Sequence, residues 1–158
     1  MDSIKCDYLA KAQAFYNYNI WSKFGSPKGV TIEAVRELER KMGVKFPHAF
    51  VEYLRWMGRD NSIYIGSDAY FEHILPNGPM LAEMFEDNNI KYQHPSKPVV
   101  SLTHQGYIAS WFYCERGVED PIFYGYSESH DDYPTCKNKK FSDMLYNDMI
   151  EFVKDMRA

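Results

Sequence analysis

The stretch SLTHQGYIASWFYCERGVEDPIFYGYSES, residues 101–129, decides the fold class. Two runs rich in β-branched and aromatic residues, 98–114 and 121–127, are separated by short polar breaks, the pattern of strands in hairpin succession. Gln105 and Gly106 interrupt the first run, and a glycine there supplies the positive φ that a tight hairpin requires. His104 and Tyr107 are then expected to flank the turn as cross-strand neighbours. Beyond it, Tyr107, Trp111 and Tyr113 alternate with Ile108, Phe112 and Cys114, so both faces of the strand are apolar. Such a strand is either covered on both sides or presents one face to a partner. We read it as the centre of a sheet.

Helical periodicity lies on either side. Upstream, Thr31 is a good N-cap for a helix whose Ile32, Val35, Leu38 and Met42 share a face, and Gly43 stands where a glycine ends such a helix. Pro47 suits the first position of a second helix carrying Phe50, Leu54 and Met57, with Gly58 as its stop. Residues 3–21 read as a further helix with Leu9, Ala12, Phe15 and Tyr16 inward, followed by the breaker KFGSPKG. Downstream of Gly58, SIYIG and AYFEHI read as strand fragments, and NGPMLAEMFEDNN as a short helix. Ser142 is placed to cap a final helix with Leu145, Met149, Phe152, Val153 and Met156 on one side. Helices before and after closely spaced strands predict an α+β fold, one domain with a mostly antiparallel sheet.

Composition narrows the function. The 158 residues suit a single domain, and 45% hydrophobic and 16% aromatic residues, including 13 Tyr and 10 Phe, indicate a packed globule with aromatic surface to spare. A net charge of −4 disfavours nucleic acid as a direct ligand, since phosphates need a basic face. Cys6, Cys114 and Cys136 are odd in number and lack zinc-ligand spacing, as expected of reduced thiols in a cytoplasm. The opening MDSIKCDYLAKAQAFYNYNIW has neither a signal sequence nor a membrane span, so no membrane role is expected.

Catalytic readings are thin. His104, Cys114 and Asp120 include the residue types of a thiol hydrolase, but a thiolate needs a base within reach and an electropositive setting, whereas Cys114 sits in the apolar run SWFYC. His130, Asp131 and Asp132 are adjacent, a pattern more usual for a solvated turn than for a metal site. No phosphate loop is present, because GSPKG lacks the required Lys-Ser/Thr. We expect no cofactor, no metal and no catalysis.

Two segments carry a family resemblance. IEAVRELERKMGVKFPHAFVEYLRWMG, residues 32–58, resembles the opening signature of the SUKH superfamily through Leu38, Glu39, Met42, Gly43, Phe46, Pro47, Phe50, Leu54 and Gly58. Asp120, Pro121, Phe123 and Tyr124 resemble that family's aspartate-proline step into an aromatic strand. The terminal helix with Phe141, Leu145 and Phe152 fits as well, so the likeness spans roughly residues 30–155. It implies a SUKH-like α+β domain over 30–158, with 1–29 an added helix and linker of the same structural unit. The functions it implies are those of bacterial immunity proteins, which bind and neutralise a cognate toxin, often a nuclease, and of fungal cell-wall regulators. A regulatory or scaffold module without a toxin is the alternative. For an immunity protein, the acids Glu115, Glu119, Asp120, Glu128, Asp131 and Asp132, together with Tyr124 and Tyr126, are the expected contacts to a basic toxin cleft.

Overall fold

Backbone groups without helical partners explain where the elements begin. The Thr31 hydroxyl accepts the Ala34 N–H at 3.2 Å, and Gly43 takes φ +67°, so Ile32–Met42 is bounded at both ends as its sequence predicts. The computed structural model describes residues 5–92, 94–129 and 133–157. Its elements are α1 (Ala10–Asn19), α2 (Trp21–Phe24), α3 (Ile32–Met42), α4 (His48–Met57), α5 (Ile74–Asp87), β1 (Pro98–His104), β2 (Ile108–Tyr113), β3 (Ile122–Ser127), β4 (Thr135–Lys140) and α6 (Phe141–Arg157). The four strands form one antiparallel sheet in the order β1-β2-β3-β4. The fold is α+β, a single compact unit.

The sheet is covered on both faces. Val99 and Phe112 turn towards α4 and α6, where the Phe50 ring meets Phe112 at 4.8 Å and Phe141 at 5.5 Å between centroids. Leu9, Tyr16 and Ile20 from the N-terminal segment complete this core. Val100, Ala109, Trp111, Tyr113 and Tyr126 face the other way, onto Leu81 and Met84 of α5. Aromatic edges and faces pack well in such an arrangement, adding to the area they bury. The alternation read in β2 is therefore that of a central strand with two buried sides.

Several local expectations change. The N-terminal helix begins at Ala10, not near residue 3. Before it, the Tyr8 and Leu9 N–H groups donate to the buried Glu52 carboxylate at 3.0–3.3 Å, which caps the helix from α4. Pro47 lies one position outside α4 rather than in its first turn. Residues 62–66 and 69–74 are not strands. The Asn61 side chain accepts the Ile63 and Tyr64 N–H groups at 3.1 Å and folds the first segment into turns, while Phe71–His73 is a 3-10 turn leading into α5. That helix starts at Ile74, three residues earlier than expected, with Pro79 inside it. At the β1–β2 turn both Gln105 (φ +51°) and Gly106 (φ +77°) are left-handed, and Ile108 rather than Tyr107 lies opposite His104.

One glycine is demanded by contact rather than by φ. A Cβ on Gly29 would stand 1.7 Å from the Arg55 carbonyl oxygen, because the linker runs directly against the end of α4. The neighbouring Val30 N–H donates to Leu54 O at 2.9 Å.

Candidate binding surfaces

The acidic stretch chosen from the sequence is divided by the fold. Glu119 and Asp120 lie just before β3, between the starts of α4 and α6. The Glu119 carboxylate accepts the His48 N–H at 2.9 Å and its main-chain carbonyl accepts the Ala49 N–H at 2.9 Å. Asp120 accepts both the N–H (3.0 Å) and the hydroxyl of Ser142. Each acid therefore satisfies the unpaired donors at a helix N-terminus, where the helix dipole also favours negative charge. Ser142, expected to cap the last helix, is instead the residue being capped.

The remaining candidates scatter. Tyr126 is only 4% exposed, within the cluster beneath α5. Tyr124 is half-buried, stacked 6.2 Å from Trp111 and edge-on to Tyr113. Glu128 is exposed and accepts the Asn88 side-chain N–H at 2.7 Å, and Glu115 is exposed near the opposite end of the strand pair. Asp131 and Asp132, with His130, lie outside the described residues.

The thiol-hydrolase constellation does not assemble. His104 sits at the β1–β2 turn, its Nδ1 3.0 Å from the Ser67 hydroxyl, while Cys114 follows the far end of β2. Six residues of strand separate them by roughly 20 Å. Burial pushes the Cys114 thiol up to about 11, so it remains protonated and unreactive at neutral pH. Among the described residues no three His, Cys, Asp or Glu side chains are placed to share an ion. No described helix is long and apolar enough to cross a membrane.

Two features outside the acidic stretch stand out. The first is aromatic. Tyr18 is 88% exposed and Trp21 51% exposed on α1 and α2, and Phe24 at the end of α2 is also exposed, its ring 5.5 Å from Phe152. The Trp21 indole N–H donates to the Ser26 hydroxyl at 2.9 Å, which meets its polar requirement and leaves the ring to solvent. Lys11, Lys23 and Lys28 are the only charged residues from Tyr8 to Thr31. Their sequence signal was the aromatics that fall off the inward stripe of α1.

The second is a groove of about 940 Å³ between α5 and the start of the sheet. One wall is the side of α5 bearing Leu75, Pro76, Gly78, Pro79, Ala82 and Phe85. Met42, Pro98 and Tyr113 line it further, and Tyr92, His94, Ser96 and Lys97 form the opposite wall. The His94 ring lies flat on Tyr113 at 3.6 Å, and burial pushes the Tyr113 phenol upward so that it stays neutral. The groove exists because Pro76, Gly78, Pro79 and Ala82 leave space between Leu75 and Phe85 on this side of α5, with the buried Ile74 and Leu81 at its floor and Met84 turned to the core.

The chain matches no family model and no curated protein.

Proposed function

We propose that the protein is a SUKH-type immunity protein, which neutralises a cognate toxin by binding it and occluding its active cleft. The reading is supported by the order of the motifs between residues 32 and 58 and at 120–124. The observation that carries it is the exposure of three aromatic rings within seven residues, Tyr18, Trp21 and Phe24. Tyr and Trp dominate the energetics of protein interfaces because they bring large area at small entropic cost. Rings so exposed add nothing to the core that their neighbours Leu9, Tyr16 and Ile20 do not already supply.

The partner is then a toxin domain, and Glu115, Tyr124 and Glu128 are accessible enough to extend a contact to its basic surface. The test is inhibition of the toxin domain encoded beside this gene, with the wild type and with the Tyr18→Ala/Trp21→Ala variant. Each hot-spot ring removed weakens binding by about thirtyfold at 2 kcal/mol. A toxin left fully active by the wild-type protein defeats the immunity reading. Full inhibition by the double variant moves the interface away from α1 and α2.

A further inference from the structure

We propose that the groove beside α5 is a binding site for a single-chain amphiphile of the fatty-acid type, its chain along α5 and its carboxylate at the 94–97 end. The site does not include the aromatic surface of α1 and α2, so this inference stands independently of toxin binding. About 940 Å³ falls within the range of small-ligand pockets, roughly 300–1,000 Å³.

The lining has two poles. The α5 wall is apolar throughout, and its Leu75 is 48% exposed although Ile74, Leu81 and Met84 of that helix are buried. The Tyr113 hydroxyl already accepts the Trp111 indole N–H at 3.0 Å, while His94, Ser96 and Lys97, the other polar residues of the lining apart from Tyr92, come from one four-residue segment. Each of them offers a donor. Lys97 forms no ion pair among the described residues, and an ammonium has three donors and no acceptor. The His94 Nδ1 accepts the Ser96 N–H at 3.1 Å, which places the proton of the neutral ring on Nε2.

Among the described residues no Asp or Glu lines the groove, in a chain whose net charge is −4. The complement of this lining is an apolar body ending in an anionic acceptor. A cationic amphiphile would face Lys97 with like charge. An extended peptide would leave its backbone N–H and C=O groups against the apolar α5 wall without partners, at a cost of about 1–3 kcal/mol each. An acyl chain carries no such groups.

The experiment is calorimetric titration of the full chain with decanoate, decanol and decyltrimethylammonium, all below micelle formation. Decanoate is expected to saturate one site and to bind more tightly than the other two. Ala82→Trp fills the groove from an exposed helix position and should weaken decanoate about tenfold or more, equivalent to 1.4 kcal/mol. Leu75→Asp, also at an exposed position, should do the same and serves as the second variant should Ala82→Trp disturb folding. Lys97→Glu should weaken decanoate roughly fivefold, the effect of reversing one solvent-exposed charge, with decanol affected less than about twofold. Absence of a saturable decanoate site, decanoate binding indifferent to both groove variants, or preference for decyltrimethylammonium each overturns the proposal.

Discussion

Removing residues 1–29 is expected to cost the protein most of its stability, even though the family resemblance begins only near residue 30. Leu9, Tyr16 and Ile20 are 0%, 1% and 0% exposed, and they lie in the same apolar cluster as Phe50, Phe112 and Phe141. Burying one large apolar side chain contributes about 1.5–3 kcal/mol, so three contribute roughly 4.5–9 kcal/mol. That figure is an upper estimate, since a real unfolded chain already hides part of this area. A loss of about 4–6 kcal/mol still compares with the entire stability of an ordinary domain, about 5–15 kcal/mol. A chain starting at Val30 should therefore melt about 10–20 °C lower than the full protein, or show no cooperative transition at all. Urea unfolding followed by circular dichroism measures both midpoint and slope. The slope should fall with the midpoint, because less surface is exposed on unfolding. Leu9→Ala is the finer version and should cost about 2–5 kcal/mol. A truncated chain melting within about 3 °C of the full one would refute the placement of this segment in the core.

Two further outcomes follow from the carboxylates. Asp120→Ala removes the acceptor for the Ser142 N–H and hydroxyl, and should destabilise by about 2 kcal/mol, lowering the melting temperature by about 4–8 °C; an unchanged melting temperature would show that the cap is dispensable. Asp148 is held above its ordinary 3.8, chiefly because burial penalises its charge, against the Tyr64 hydroxyl that donates to it at 2.6 Å. Its native state thus holds a proton more tightly than the unfolded chain, and its contribution to stability falls as pH rises from 3.8 through the raised folded value. Asp148→Asn should flatten that part of the pH–stability curve relative to the wild type, and identical curves for the two proteins would contradict the burial.

The parts of the fold legible in the sequence are those whose signals are local. Thr31 and Gly43 bound α3 by chemistry within a few residues, and the alternation through Ile108–Tyr113 reports the two covered faces of β2 directly. What escaped depends on distant partners or on the absence of burial. The β4 sequence TCKNKK shows no apolar alternation because all six residues are exposed on the edge of the sheet, where lysines discourage further strand pairing. Residues 62–74 look strand-like because Tyr64, Ala69 and Ile74 are apolar. In the fold Tyr64 packs inward from turns that the Asn61 amide organises, Ala69 is buried beyond them, and Ile74 packs inward as the first residue of α5. The beginning of α5 is obscured by Pro76, Gly78 and Pro79. Pro76 falls among the first helix N–H groups, which lack intrahelical partners anyway, so it removes little, whereas Pro79 lies inside the helix and gives up one bond.

The candidate surfaces were harder to read for a related reason. A sequence displays the sign of a carboxylate but not the group it faces. Glu119 meets a helix that begins 71 residues earlier in the chain, and Asp120 one that begins about 20 residues later, so neither cap has a local pattern. Their partners are main-chain amides, which every residue but proline possesses and no composition reveals. The aspartate-proline step of the resemblance acquires a physical reading from this. Pro121 is buried at the junction and its carbonyl accepts the Phe141 N–H at 2.8 Å, beside the Ser142 N–H taken by Asp120. The pair ties the first two amides of α6 to the entrance of β3, while Glu119 ties α4 to the same point. Substitution there alters how two helices are set on the sheet before it alters any partner contact. The groove has the opposite character, since its space is made by the short Pro76, Gly78, Pro79 and Ala82 between Leu75 and Phe85 on one side of α5. Small residues leave no hydrophobic stripe to detect, and the space they create becomes visible only when the sheet is placed against them.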